Sequence, residues 1–167
     1  MKFKNTSNIV VIFLAVFIDQ LTKFFIISNY NNFISSKEII PNFLRFTYIT
    51  NDGIAFGLNP FGGSGFILLF ISVIAVLFVV KILIDSINEP KLIQFSLSLI
   101  LGGALGNLID RFFTTFNFMG YKGVIDFIDI GINDYRFYIF NFADFFISLG
   151  IILYLISFIK PKTVNEQ

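Results

Sequence analysis

Two aspartates, Asp126 and Asp144, give this chain a candidate acid–base pair. Carboxylates held a few ångströms apart share one proton, because two like charges resist ionising together. The ionised member of such a pair can activate water, and the protonated member can supply a proton to a leaving group. Most other hydrolytic chemistries are excluded by composition. The 167 residues include no histidine and no cysteine, so there is no Ser-His-Asp triad, no cysteine nucleophile and no histidine-ligated zinc. A carboxylate pair acting on water needs no metal and no cofactor, and none is expected. Asp129 and Asp134 lie close to Asp126, and by residue type alone they compete with it.

The polar residues around this pair come in short clusters. Asp19, Thr22 and Lys23 fall at i, i+3 and i+4, on one helical face, with the acid preceding the base in the favourable order. They read either as a structural ion pair that locks a helix to its neighbours or as part of a working site. Residues 43–58, FLRFTYITNDGIAFGL, favour strand through Phe, Thr, Tyr and Ile, and Asn51-Asp52-Gly53 is a turn signal. A hairpin lying on a membrane surface is predicted there. Its glycine and asparagine either serve the turn alone or offer a β-edge to an extended peptide. Gly102 and Gly106 form a G-x-x-x-G pair, read as close helix packing. Asn107, Asp110 and Arg111 follow on the same helix, as an end cap with an ion pair or as a polar wall for peptide carbonyls. Asn141 precedes Asp144 by three residues, placing it to hydrogen-bond the carboxylate or a substrate carbonyl.

The elements that must carry these clusters are membrane helices. The chain is 56% hydrophobic and 14% charged, with 25 phenylalanines and a mean hydropathy of +0.82. Soluble domains average about 25% charged residues. Four stretches meet the roughly 20-residue requirement for a span, at about 8–28, 65–84, 92–110 and 137–159. One integral membrane domain over 1–167 is expected. Lys2 and Lys4 before an apolar run resemble a signal peptide, but no A-x-A-like site follows, so the run reads as an uncleaved first span. A net charge of +1 leaves no basic stripe for nucleic acid, and no obligatory protein partner is evident.

An even number of spans places both termini on one side. The twelve Lys and Arg divide evenly between the two sides, and the flanking pairs Lys2/Lys4 and Lys160/Lys162 favour cytoplasmic termini. Independently of orientation, Asp19–Lys23, the 29–64 loop, Asn107–Arg111, Asp126 and Asp144 all collect at the opposite face. Asp144 is predicted about two turns into the last span, roughly 10 Å deep. An inert bundle has no reason for such one-sided clustering.

Five ordered motifs carry a resemblance over nearly the whole chain. They are Asp19-Gln20-x-Thr22-Lys23, Asn51-x-Gly53-x-Ala55-Phe56, Gly103-Ala104-x-Gly106-Asn107-x-x-Asp110-Arg111, Val124-x-Asp126-Phe127 and Phe140-Asn141-x-Ala143-Asp144. With them the chain resembles lipoprotein signal peptidase (signal peptidase II), the bacterial membrane aspartyl protease family. The resemblance implies an all-α membrane fold of four helices, with a small extracytoplasmic β-hairpin or cradle and a lid-like loop or short amphipathic helix. It implies Asp126 and Asp144 as the catalytic pair, choosing Asp126 over Asp129. It implies Asn51, Gly53, Asn107, Asp110, Arg111 and Asn141 along the substrate site, with Asp19 and Lys23 as a structural polar cluster. The implied substrate is a prolipoprotein whose cysteine already carries diacylglycerol, cut just before that cysteine, in the bacterial cytoplasmic membrane. One departure is the stretch between Arg111 and Asp126, several residues longer than in typical members, which bears on the loop and on lid shape.

Two other classes fit parts of the pattern. A proton-coupled transporter also uses intramembrane aspartates, but usually near mid-membrane and with internal repeats. A Ser/Lys peptidase using Lys23 and Ser28 lacks the large soluble catalytic domain it needs.

Overall fold

The computed structural model describes residues 6–53, 65–133 and 135–159. Among the described residues, four helices are long and apolar enough to cross a membrane: α1 (Thr6–Ser28), α3 (Gly65–Asp85), α4 (Lys91–Thr115) and α5 (Phe142–Ile159). The short α2 (Tyr30–Phe33) follows α1 directly. At about 1.5 Å per residue the four long helices run roughly 27 to 38 Å, the thickness of a bilayer's hydrocarbon core or slightly more. Their outward residues are apolar and exposed, among them Phe13, Phe24, Phe70, Phe78 and Phe158, as lipid contact requires.

α4 is the central helix and packs against α1, α3 and α5. Small residues permit the approach. A Cβ at Gly103 would collide with the carbonyl of Ala143 in α5, and one at Gly106 would stand 2.5 Å from Asp19 Oδ2 in α1. Close helix contact through such positions is a regular feature of membrane bundles.

A four-stranded antiparallel sheet in the order β1-β2-β3-β4 sits on one end of the bundle, formed by β1 (Lys37–Ile40), β2 (Leu44–Asn51), β3 (Val124–Ile132) and β4 (Tyr135–Arg136). Four helices with a small antiparallel β-element match the expected fold at that level, and the β-element is a four-stranded sheet rather than a single hairpin. Strand character over 44–51 is present, but the turn that precedes it, around Asn42 at φ 57°, returns β2 onto β1. Its long partner is β3, more than 70 residues away, with Ile49 opposite Asp126 and Asn51 opposite Val124. Residues 54–58, expected as the other arm of a hairpin, lie outside the described residues, as do Ala55 and Phe56. Strand alternation sends Ile125 and Phe127 into an apolar cluster with Ile26 and Phe33, leaving Asp126 between them to face the other way. No lid can be assigned among the described residues.

Two helix ends differ from the hydropathy reading. α4 continues to Thr115, so Thr114 and Thr115 are helical and the connection beyond is short, with a 3-10 turn at Phe118–Gly120. The last span begins at Phe142, not 137. Phe137–Phe140 are extended instead, because their backbone pairs with β3: Phe140 N–H donates to Ile128 O, and Phe140 O accepts from the N–H groups of Phe127 and Ile128. Asp144 therefore lies in the first turn of α5, not two turns inside it.

Candidate active site

The first turn of α5 is built by a reciprocal cap. Asn141 stands at the N-cap, where its Oδ1 accepts from Asp144 N–H at 2.9 Å, while the Asp144 carboxylate reaches back to Asn141 N–H at 3.4 Å. This is a capping box in Asn/Asp form. It also holds a carboxylate at the positive end of the helix dipole. The spacing of three between Asn141 and Asp144 thus has a local cause.

The same asparagine reaches the second aspartate. Asn141 Nδ2 donates to Asp126 Oδ1 at 2.7 Å, to Asn107 Oδ1 at 3.1 Å and to Ile125 O at 3.2 Å. Asp126 also accepts from Asn51 Nδ2 at 3.3 Å, and Asp144 accepts from Asn107 Nδ2 at 2.8 Å. Both carboxylates line one cleft of about 950 Å³, together with Asn51, Asn107 and Arg111. Its other walls are Ile49–Asp52 of β2 and its end, the extended Phe137–Phe140 and Phe145, Ile147 and Ser148 of α5. Arg111 donates to Gly53 O at 3.2 Å and lies within electrostatic reach of both aspartates. Gly53 itself is buried behind the wall, its N–H given to Asn51 Oδ1 at 3.0 Å.

Asp126 is 4% exposed. Its carboxyl is pushed up to about 7, first by burial and then by the charge of Asp144, against the opposing hydrogen bond from Asn51, the field of Lys23 and the bond from Asn141. A carboxyl in that range keeps a proton near neutral pH, as one member of a water-activating pair must.

Asp110, expected along the substrate site, is placed elsewhere. It is fully buried beneath the cleft, where its Oδ2 pairs with Lys23 at 2.9 Å and accepts Ile125 N–H at 3.1 Å. It therefore anchors β3 to α4, one residue before Asp126. Lys23 also pairs with Asp19 at 2.9 Å, and Asp19 in turn accepts Ala143 N–H at 2.9 Å. Gln20, which carried no assigned role in the sequence, ties the cluster together by donating to Asp19, Asp110 and the carbonyl of Gly106. Of the competing acids, Asp129 is paired with Arg136 at 2.9 Å and does not line the cleft; Asp134 lies outside the described residues. The Phe137–Phe140 wall was hidden by its own hydrophobicity. The Asn-x-x-Asp cap was the signal that could have ended the helix at 141.

Residues 11–160 match the family described as Signal peptidase (SPase) II. A lipoprotein signal peptidase of Clostridium tetani is 38% identical over 164 residues, covering 96% of this chain and 97% of that protein. One from Staphylococcus aureus is 36% identical over 165 residues, covering 99% and 94%. A solved bacterial membrane enzyme, determined by the in meso method, superposes with a TM-score of 0.77 at 33% identity, covering 98% of this chain and 94% of that one.

Proposed function

The chain belongs to the signal peptidase II family, and from that premise we propose that it is an aspartic endopeptidase that removes signal peptides from prolipoproteins with Asp126 and Asp144 as its catalytic pair. The observation that carries the reading is that the Asp126 and Asp144 carboxylates line one cleft, with buried Asn141 behind them donating to Asp126 Oδ1 and accepting the backbone N–H of Asp144. Two carboxylates from different elements, a strand and a helix N-terminus, are thereby held in one constellation.

The chemistry follows from the shared proton. The ionised carboxylate takes a proton from water as the oxygen attacks the scissile carbonyl. The protonated carboxyl hydrogen-bonds the carbonyl oxygen and then gives its proton toward the leaving amine. The extended segment Ile49–Asp52 offers a wall along which a peptide lies straight, and Arg111 and Asn51 supply donors for its carbonyls. The apolar walls Ile139, Phe140, Phe145 and Ile147 suit a substrate that keeps acyl chains in lipid. Each buried CH₂ contributes about 0.8 kcal/mol to such anchoring, so the substrate read here is the diacylglyceryl-modified prolipoprotein, cut just before its lipidated cysteine. The termini and the 85–91 loop are cytoplasmic in this reading, and the cleft opens toward the extracytoplasmic face.

The test is cleavage by purified variants that retain the wild-type melting transition. Asp126→Asn and Asp144→Asn each abolish turnover, while Asp129→Asn retains it. Unlipidated substrate is cut far more slowly than the diacylated form. An active Asp126→Asn or Asp144→Asn variant overturns the pair, and equal cleavage of both substrates overturns the lipid reading.

A further inference from the structure

The polar cluster beneath the cleft contains more than a structural ion pair. All three hydrogens of the Lys23 ammonium are engaged: with Asp19 Oδ2, with Asp110 Oδ2 and, at 3.0 Å, with Asn107 Oδ1. An ammonium has donors and no acceptor. The Asn107 atom it faces must therefore be the carbonyl oxygen, and the amide nitrogen must point the other way. That nitrogen donates to Asp144 Oδ1 at 2.8 Å. Without a donor-only neighbour, the amide can turn its oxygen toward Asp144 and leave that carboxylate without its N–H donor. Asn141 Nδ2 also points at Asn107 Oδ1, at 3.1 Å, but its two hydrogens are divided among three acceptors, the shortest being Asp126. Lys23 holds Asn107 undivided.

We propose that Lys23 is a positioning residue for the reaction, acting through Asn107 to aim an amide N–H at Asp144 and so hold that carboxylate in place to accept the proton of water. The assignment rests on the Asp126/Asp144 reading above and deepens it: Asp144 is then the base and Asp126 the carrier of the shared proton. The other charged groups around the pair are Arg111 on α4, Asp52 at the end of β2 and, beneath, Asp19 and Asp110. None of them donates a hydrogen bond to Asn107 among the described residues.

A double-mutant cycle tests it. Removing Lys23 alone strands two buried carboxylates, which is costly; Lys23→Met combined with Asp19→Asn keeps the cluster's net charge, and asparagine at 19 still offers an oxygen to Ala143 N–H. Measured against Asp19→Asn as reference, Lys23→Met lowers kcat by about tenfold or more, the loss expected for a hydrogen bond to a charged group. KM for the diacylated substrate stays at the reference value; the melting temperature falls, because buried Asp110 loses its cation, so kcat is compared at a temperature where both proteins are folded. In an Asn107→Ala background the same Lys23 change lowers kcat no further, because its route to Asp144 is already cut. Losses that multiply in that background, or a loss confined to KM or stability, overturn the proposal. If the Lys23→Met/Asp19→Asn protein does not fold, Lys23→Gln/Asp19→Asn carries the same cycle and is judged by the same outcomes. Failure of the underlying reading shows separately, as retained activity in Asp126→Asn or Asp144→Asn.

Discussion

Replacing Asn141 separates its two jobs, as a helix cap and as a bridge between the aspartates. Asn141→Ala deletes the cap on Asp144 N–H, a loss of about 1 kcal/mol. It also leaves the buried Ile125 carbonyl without its side-chain donor, a further loss of about 1–3 kcal/mol. The sum is about 2–4 kcal/mol of destabilisation. Asn141→Ser keeps an N-capping hydroxyl and so recovers about 1 kcal/mol of this, but it has no Nδ2. Both variants lose the 2.7 Å hydrogen bond to Asp126 Oδ1. A hydrogen bond to the protonated carboxyl is worth about 0.5–1.5 kcal/mol, which corresponds to about 2- to 10-fold in rate at 1.36 kcal/mol per decade. The two variants should therefore melt at different temperatures in detergent, with serine the more stable, yet show similarly reduced kcat on a diacylated prolipoprotein. Serine at wild-type kcat would refute the bridging role; alanine and serine melting together would refute the cap.

Two other outcomes follow from the same geometry. Because the Asp126 carboxyl lies at about 7, raised from 3.8, kcat/KM should fall about tenfold per pH unit above that value, where the shared proton is lost and both aspartates are charged. Stability moves in the same direction, since a group whose folded pKa is raised favours the fold fully below its unfolded value and loses that contribution as pH rises toward 7. Activity that stays flat to about pH 9 would refute the assignment. Reporter fusions at Asn88, between α3 and α4, and at Asn117, beyond α4, should report opposite sides of the membrane; matching signals would sink the four-span arrangement.

The sequence alone was sufficient for four membrane helices and for the collection of polar residues at one end, because hydropathy is a local sum and a buried charge in lipid is costly wherever it falls. It was not sufficient where two local preferences competed. Phe137–Phe140 are apolar enough to extend a span, yet their backbone pairs with Ile128 and Ile130, and the cap at Asn141 sets the helix start. Asp110 and Arg111 are adjacent in sequence, but one helical step of about 100° puts the first under the floor with Lys23 and the second on the cleft wall. The partner of β2 lies more than 70 residues away, beyond the reach of any turn signal. Residue types named Asp126 and Asp144 as capable of acid–base work. That both meet one asparagine, and that Lys23 turns the amide of another toward Asp144, was decided by side-chain hydrogen bonds between α1, α4, β3 and α5, which exist only after the helices have packed.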